Sequence, residues 1–282
     1  MRILSRRLLV AAITVLMTSV PGVLQATPAL ALPGGGGTTE GYGFDACTAP
    51  SQTAMNAFWT NTRFTWIGVY VGGINRACSQ PNLTSSWLNT NYDSGNKWRF
   101  EFLYVPLQAP CTSFASRMSS DPTTAFNQGV GAAQGVFNDL VNLGVGNNAA
   151  GTPVVADMEA FDTGNSGCVA AVKAWVRGWV TQLHVAPAQV AGYYGSTCAS
   201  DVDAMFSISP RPDFIHGADY DGNPSVSAMA CVSSSHWSGK RLKQYQGGHN
   251  ETFNGVTLNI DSDCADGPLA PTASHFANSS CL

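Results

Sequence analysis

Short apolar runs recur along the chain from residue 42 onward, and each run is closed by Gly, Pro, Asp or Cys. The runs are rich in β-branched and aromatic residues, which favour β-strands. They predict eight strands, at residues 42–46, 66–71, 100–105, 154–158, 190–194, 214–218, 242–246 and 256–260.

Helical patterns lie between several of these strands. Residues 168–184 carry valines at three- and four-residue spacing, which predicts an amphipathic helix. A second helix is predicted to begin at Asp121-Pro122, an N-cap residue followed by proline at the first helical position, and to end near Gly144. Strands that alternate with helices indicate a parallel sheet, and eight such units in about 250 residues are typical of a (β/α)8 barrel. We therefore expect a single TIM-type barrel of the α/β class.

The two ends of this barrel differ from the regular pattern. Residues 247–255 are too few and too polar for a regular helix, so the seventh unit is predicted to be irregular. Residues 32–40 include four consecutive glycines and predict a flexible lead-in with nothing to pack. The barrel domain is accordingly expected to span residues 41–282.

The first 31 residues have the pattern of a secretory signal peptide. Three arginines precede an apolar run at residues 8–17, and the small-x-small tripeptide Ala29-Leu30-Ala31 follows. We expect cleavage after Ala31, with Ala26 as the alternative, and the pair Arg6-Arg7 leaves twin-arginine export open. No segment approaches the ~18 uninterrupted apolar residues of a membrane span. The sequence thus predicts a secreted protein without a membrane span.

The charge of the chain restricts its partners. The formal net charge is −4, and removal of a leader with three arginines and no acid would lower it to −7. Nucleic acids and anionic membranes are bound through clusters of Lys and Arg, which the remaining sequence lacks. A neutral ligand such as a glycan fits better than nucleic acid, and we expect the mature protein to be a monomer.

Eight cysteines follow the predicted leader, an even number that indicates disulfides in an exported protein. Most of them recur once per predicted βα unit, although chance spacing in a loop-rich chain is the alternative explanation. Because adjacent loops lie closest, we expect the pairs Cys47 with Cys78, Cys111 with Cys168, Cys198 with Cys231 and Cys264 with Cys281. The sequence has no Cys-x-x-Cys and no His at ligand spacing beside a Cys, so we expect neither a metal nor another cofactor.

The strongest chemical signal is Asp157-Met158-Glu159, which follows the apolar run at residues 153–156. Side chains two residues apart on a strand share a face, so both carboxylates would project from the end where barrel enzymes carry their catalysts. Two close carboxylates cannot both ionise at low cost, so the pKa of one of them should be raised. A carboxyl that stays protonated can then protonate a leaving glycosidic oxygen. Asp-x-Glu triplets are also common on solvated loops, so the supporting evidence is the acids that close other predicted strands. These are Asp45, Asp219 and Asp261.

Aromatic residues near the predicted strand ends could contact a sugar. The tyrosines in question are Tyr70, Tyr104, Tyr194, Tyr220 and Tyr245. Tyrosine rings stack on sugars, but they also fill barrel interiors, and for each of these residues both interpretations stay open. His216 on the sixth predicted strand could likewise contact the site or be a satisfied core histidine.

Four segments resemble a secreted bacterial glycoside-hydrolase-like family, catalogued as domain of unknown function 1906. They are Gly-Phe-Asp-Ala-Cys-Thr-Ala-Pro-Ser at residues 43–51, Ile-Gly-Val-Tyr-Val-Gly-Gly at 67–73, Gln-Ala-Pro at 108–110 and Asp-Met-Glu-Ala-Phe at 157–161. The likeness extends over nearly the whole predicted mature chain in matching order. It implies a TIM-type barrel.

A weaker likeness connects the sequence with family 25 glycoside hydrolases, muramidases that cleave the glycan of peptidoglycan. That family has an Asp closing the first strand, Asp-x-Glu closing the fourth, Gln-Tyr near the seventh and an Asp on the eighth. The residues of this chain at those places are Asp45, Asp157 with Glu159, Gln244 with Tyr245, and Asp261. The sequence departs from the muramidase pattern at Cys47 and Pro50, which puts the identity of the substrate in doubt.

The resemblance implies roles for these residues. Glu159 would be the general acid, and Asp157 would orient a water or an N-acetyl group, or adjust the pKa of Glu159. Asp45 and Asp261 would stabilise developing positive charge. Two hypotheses follow: a hydrolase of N-acetylated cell-wall glycan, or a binding protein on the same barrel that holds a sugar without cutting it.

Overall fold

Eight strands close into a barrel in sequential order in the computed structural model, which describes residues 32–93, 98–271 and 281. The predicted signal peptide lies outside these residues. The strands are β1 (Gly37–Asp45), β2 (Trp66–Gly72), β3 (Arg99–Tyr104), β4 (Pro153–Asp157), β5 (Val190–Ser196), β6 (Phe214–Ala218), β7 (Arg241–Phe253) and β8 (Val256–Leu269). The predicted barrel with helices between strands is confirmed.

Helices connect the first five strands. They are α1 (Gln52–Asn61), α2 (Ser85–Asp93), α3 (Pro122–Asn142) and α4 (Ser166–Leu183). The predicted start of α3 is confirmed: the Asp121 carboxylate accepts a 2.8 Å hydrogen bond from the Thr124 backbone N–H, and Pro122 takes the first helical position. Short 3₁₀ turns at Asn147–Ala149 and Asp203–Ser207 supplement the helices.

The last strand runs against the others. Strands β1 to β7 pair in parallel, whereas β8 is antiparallel to both β7 and β1. The expected parallel sheet is therefore wrong at β8, and the seventh unit is a long hairpin. Its turn is Asn254-Gly255, and both residues have a positive φ (49° and 75°), the conformation that favours Asn-Gly in tight hairpins. Consequently Asp261 lies within β8, opposite Asp45 in the register, and not at a carboxyl end.

The structure also differs from the flexible lead-in predicted over residues 32–40. Leu32 is buried and forms a bridge with Val145, and β1 already begins at Gly37. The glycines allow close packing, because a Cβ at Gly36 would lie 2.4 Å from the Pro153 ring. The segment thus belongs to the barrel wall.

The barrel interior has an apolar part and a polar part. The apolar cluster consists of Trp66, Leu103, Val155, Phe214, Leu242, Ala265 and Leu269. On β4, β6 and β7 the next residue on the same face toward the carboxyl end is polar or charged, namely Asp157, His216 and Gln244, and Asp263 takes the equivalent place on β8. A second core lies outside the barrel, where α3 and α4 cover the strands with buried residues such as Trp175 and Trp179.

Four disulfides staple the loops, in the pairing that the sequence predicts. Cys47–Cys78, Cys111–Cys168, Cys198–Cys231 and Cys264–Cys281 have Cα–Cα distances of 5.7, 5.8, 5.2 and 6.0 Å. The first three bridges join segments that follow the carboxyl ends of strands, and Cys47–Cys78 borders the candidate site. None of the helices described is long and apolar enough to cross a membrane.

Candidate active site

Four of the predicted acids converge on one cavity at the mouth of the barrel. Asp45, Asp157, Glu159 and Asp261 all line a space of about 260 Å³. Asp157 closes β4 and is buried, whereas Glu159, two residues later, is exposed at the rim. The Asp-x-Glu spacing therefore places one carboxyl at the base of the cavity and the other where a substrate enters.

Gln108, in the loop after β3, fixes the backbone that carries both carboxyls. Its fully buried side-chain amide donates a 2.9 Å hydrogen bond to the Asp157 carbonyl. Its oxygen accepts a 2.9 Å bond from the Glu159 backbone N–H. In the sequence Gln108 stands out only as part of a resembling segment, because a loop side chain that bonds backbone groups leaves no local pattern.

A hydrogen-bond network organises the side of the cavity around Asp45. The Tyr70 hydroxyl donates to one Asp45 oxygen at 2.8 Å, and the Gln244 amide donates to the other at 2.7 Å. The same amide lies 3.2 Å from an Asp261 oxygen. The Gln244 oxygen accepts 2.8 Å bonds from the hydroxyls of Tyr194 and Tyr220. Gln244 thus connects four of the predicted site residues.

Crowding and burial raise the pKa values of Asp45, Asp157 and Glu159. Burial, followed by the carboxyls of Asp263 and Asp261, raises the pKa of Asp45 well above its usual range. Burial and then Glu159 raise the pKa of Asp157 in the same way. The pKa of Glu159 is raised by desolvation and by Asp261. The site therefore holds protons to higher pH than free carboxyls do, as an acid catalyst requires.

One oxygen of Asp157 is enclosed without a hydrogen-bond partner. Asp157 Oδ1 is buried and accepts no hydrogen bond from the part of the chain that the structure describes. A buried acceptor without a partner is costly, which agrees with the raised pKa of this carboxyl.

Tyr220 extends the site beyond the first cavity. Its side chain is 62% exposed, and its ring lies against Gly247, where a Cβ would approach the Tyr220 Cζ to 3.0 Å. Tyr220 and Asp261 both line a second, more open cavity of about 610 Å³. Since Asp261 borders both cavities, the two are adjacent parts of one groove.

Three predicted site residues belong neither to the lining of the first cavity nor to the hydrogen-bond network around Gln244. Tyr104 stacks on Trp179 outside the barrel, with ring centroids 6.0 Å apart. The Tyr245 hydroxyl accepts a hydrogen bond from Arg63, although Tyr245 also borders the second cavity. Side chains alternate along a strand, and Leu103 and Gln244 already face inward, so their neighbours Tyr104 and Tyr245 face outward.

Asp219 is the third predicted site residue that lies apart from the first cavity, and its side chain is turned into the loop after β6. Its carboxylate accepts a 2.8 Å hydrogen bond from the Ala230 backbone N–H and lies 3.5 Å from the Lys243 ammonium. Lys243 is fully buried and also bonds both oxygens of Asp221 at 2.9 Å. These two acids flank Tyr220 in the chain, so the Lys243 contacts fix the segment that presents the Tyr220 ring.

Other residues of the cavity wall come from loops and were missed by sequence reasoning. They include Asn75, Arg76 and Phe114, together with the Cys47–Cys78 disulfide. Arg76 is held by hydrogen bonds to the carbonyls of Tyr70 and Val71. No group of three or more His, Cys, Asp or Glu side chains in the described ranges is arranged to hold a metal ion.

The barrel and its acid-lined mouth define a glycoside hydrolase-like protein, and comparison with known proteins agrees. Residues 57–265 match the family described as the Rv2525c-like, glycoside hydrolase-like domain. The chain therefore belongs to this family, which confirms the resemblance seen in the sequence. A comparison with curated protein sequences gave no match.

Several solved structures are similar to this chain. An uncharacterised protein from B. stearothermophilus has a TM-score of 0.50 at 15% identity, covering 79% of this chain and 95% of that protein. A family 25 glycosyl hydrolase from Bacillus anthracis has a TM-score of 0.49 at 15% identity, covering 80% and 88%. The spore cortex lytic enzyme SleM from Clostridium perfringens has a TM-score of 0.49 at 13% identity, covering 80% and 67%. At 15% identity, the similarity to the B. stearothermophilus protein supports the fold alone.

Proposed function

We propose that the protein is a secreted glycoside hydrolase that acts on N-acetylated cell-wall glycan, the polysaccharide of peptidoglycan. The observation that carries this proposal is the convergence of Asp45, Asp157, Glu159 and Asp261 on one cavity. Hydrolysis of a glycosidic bond needs a protonated carboxyl beside a second carboxyl at the same bond, and the pair Asp157 and Glu159 has that composition.

Glu159 is the proposed general acid. It stands at the entrance of the cavity, and its raised pKa favours the protonated form that can donate to the leaving oxygen. As the bond between the sugar carbon and that oxygen breaks, the proton passes to the oxygen and positive charge develops on the sugar ring. Asp45 and Asp261 would stabilise that charge when they are ionised.

Asp157 is proposed to orient a group on the substrate side of the bond. Its carboxyl lines the cavity, where it can accept from the N–H of an N-acetyl group or the O–H of a water. Both are donors that a buried carboxyl oxygen would bind. An N-acetylated glycan supplies this N–H on its amino sugars.

The groove past Asp261 supports a polymeric substrate. The exposed Tyr220 ring offers a flat apolar face to a sugar ring, and its position is fixed by hydrogen bonding to Gln244. A glycan chain that occupies the first cavity would continue across Asp261 onto Tyr220. The four disulfides and the leader pattern support export, since disulfides persist in oxidising surroundings.

A carbohydrate-binding protein is the second candidate. The observation that favours it is the saturated bonding of Gln244 and Asp45, because a buried, fully bonded network suits the recognition of a neutral sugar as well as catalysis. Cleavage, and not binding, distinguishes the two candidates.

The substitution Glu159→Gln tests the proposal, since Gln keeps the shape of the acid but has no proton to deliver. We expect glycan cleavage to fall by about 10²- to 10⁴-fold, with glycan affinity and thermal stability unchanged. Glu40→Gln is the matched control, because Glu40 is an exposed acid at the other end of the barrel, on β1. Full cleavage by the Glu159→Gln protein would contradict the assignment of the acid.

A further inference from the structure

Three ionisable side chains are enclosed in the barrel beneath the proposed catalytic set. They are Glu101 on β3, His216 on β6 and Asp263 on β8, and each is 0% exposed. His216 Nδ1 lies 2.9 Å from Glu101 Oε1, and His216 Nε2 lies 3.4 Å from Asp263 Oδ1. The imidazole ring is thus held between two carboxyl groups from opposite parts of the barrel.

This arrangement suits a charged imidazolium. A neutral imidazole can donate from one ring nitrogen only, whereas the protonated ring donates from both, and both nitrogens here face carboxyl oxygens. Burial by itself lowers the pKa of His216, but Glu101 and Asp263 outweigh it, so the pKa is raised well above its usual value. Burial raises the pKa of Asp263 to about 7, although His216 opposes that change.

Contacts connect this cluster with the site above it. The Tyr194 ring meets His216 edge to face at a centroid distance of 5.2 Å, and its hydroxyl bonds Gln244, which in turn bonds Asp45. Gly68 pairs in register with both Asp45 and Glu101. A Cβ at Gly68 would lie 2.7 Å from Asp45 Cβ and 3.4 Å from Glu101 Oε2, so nothing larger than a glycine fits between them.

We infer that Glu101, His216 and Asp263 form a positioning cluster of the active site, in which His216 is the buried cation that balances the carboxyls above it. The inference rests on the proposed function, because it assigns the cluster to the same site. The ring supports Tyr194 and thereby the Gln244 amide. Its charge offsets part of the cost of ionising Asp45 and Asp157, whose pKa values burial raises.

Several elements surround His216 with groups that titrate. These groups are Asp45 on β1, Glu101 on β3, Asp157 on β4, Tyr194 on β5 and Asp263 on β8. His216 lowers the pKa of both Asp45 and Asp157, while Glu101 raises that of Asp157 and Asp263 raises that of Asp45. A histidine that served only the fold, with no charge near the acids, would leave the titration of Asp45 and Asp157 unchanged.

The test is the titration of labelled protein followed by NMR, which needs no glycan. The His216 ring is expected to remain protonated at pH 7.5. His184, an exposed histidine 2.9 Å from Asp213, supplies the control variant. In His216→Gln the titration midpoints of the Asp45 and Asp157 carboxyls should rise by about one pH unit or more, because a nearby positive charge is lost. His184→Gln is the control and should leave them unchanged. Unchanged midpoints in a folded His216→Gln protein would overturn the inference.

Glu101→Gln keeps the test decisive if His216→Gln does not fold. The Gln oxygen can still accept from Nδ1, but the negative charge is gone, so the midpoint of His216 should fall. A His216 that is neutral at pH 7 in the unaltered protein, or a midpoint that does not move in Glu101→Gln, would also overturn the inference.

The two proposals can fail separately. Shifted midpoints in a protein that cuts no glycan would sustain the cluster and refute the hydrolase. Cleavage with unmoved midpoints would refute the cluster alone. If the protein cleaves glycan, His216→Gln should also shift the acidic limb of the pH profile of kcat/KM to higher pH. Lost stability by itself would not produce this shift.

Discussion

At the scale of single residues, Gln108 determines where Asp157 and Glu159 point. Its amide bonds the backbone on both sides of Met158, so the two carboxyls cannot move independently of the loop after β3. The loop is in turn tied to α4 by the Cys111–Cys168 disulfide. The geometry of the acid pair thus depends on a residue that touches neither carboxyl.

Gln108→Leu should damage both stability and the site. The substitution leaves the buried Asp157 carbonyl without its donor and removes the acceptor of the Glu159 N–H, which costs about 1–3 kcal/mol. We expect a matching drop in the free energy of unfolding in urea, together with weaker glycan cleavage. Gln108→Glu restores only the acceptor and should recover part of the loss. Equal stability of the leucine variant and the unaltered protein would contradict this account.

At the scale of elements, helices α3 and α4 pack through two glycines. A Cβ at Gly129 of α3 would lie 2.0 Å from the Trp175 carbonyl, and a Cβ at Gly178 of α4 would lie 2.0 Å from the Phe126 carbonyl. The two helix backbones therefore approach closely at the face that covers the barrel. Gly131, only two residues from Gly129, has open space around it.

This contrast gives a prediction with an internal control. Gly178→Ala should destabilise the protein by about 1–3 kcal/mol, because the helices must separate or the backbone must shift. Gly131→Ala should stabilise it by up to about 1 kcal/mol, since alanine favours the helix and meets no neighbour. Thermal unfolding of the two variants checks both signs. A Gly178→Ala protein as stable as the Gly131→Ala protein would contradict the packing described.

The β7–β8 hairpin contributes to the site through β8, the strand that runs antiparallel to its neighbours. Because β8 runs antiparallel, its first half borders the mouth, and Asp261 faces Asp45 there while Asp263 continues on the same face into the barrel. One strand thus supplies a residue to the proposed catalytic set and another to the buried cluster. A parallel eighth strand would have placed Asp261 at its carboxyl end.

At the scale of the whole molecule, the raised pKa values make stability depend on pH. Asp45, Asp157, Glu159 and Asp263 hold protons in the folded protein to higher pH than in the unfolded chain, and so does His216. Where the folded state binds more protons, the free energy of unfolding falls as pH rises. For Asp263 this window extends from its unfolded value near 3.8 to about 7, and His216 continues it above 6.5.

We therefore expect the protein to be more stable at pH 5 than at pH 8, by on the order of a few kcal/mol. Urea unfolding at the two pH values measures the difference. Asp263→Asn removes one of the contributing groups, so the difference should shrink in that variant. A free energy of unfolding that rises between pH 5 and pH 8 would contradict the raised pKa values of the barrel interior.

Much of the fold follows from local sequence pattern, and the reasons for the exceptions are physical. The strand runs, the Asp121 cap and the once-per-unit cysteines are local signals, and the structure follows them. The alternation of strands and helices predicts a parallel β8, whereas the hairpin signal Asn254-Gly255 predicts the antiparallel direction that the structure has. Strand alternation places Tyr245 on the opposite face from Gln244, and Tyr104 on the opposite face from the inward-facing Leu103, so neither tyrosine belongs to the barrel interior.

The contacts inside the barrel are beyond what the sequence alone can predict. Glu101 and His216 are 115 residues apart, and Gln244 and Asp45 are 199 apart. Their pairing depends on how eight strands close and stagger, which no local pattern specifies. The sequence identified the acids that end strands, whereas the groups that set their protonation came only from the closed barrel.

The most direct test of the central claim is digestion of purified peptidoglycan by the mature protein, with soluble fragments identified by mass spectrometry at pH 5 and pH 7. We expect fragments with a newly formed reducing end at an N-acetylated sugar. We also expect fewer of them from peptidoglycan whose amino sugars have been de-N-acetylated, and none above background from the Glu159→Gln protein. Binding of glycan fragments that remain uncut at both pH values would contradict the claim and identify the acid cluster as a recognition site.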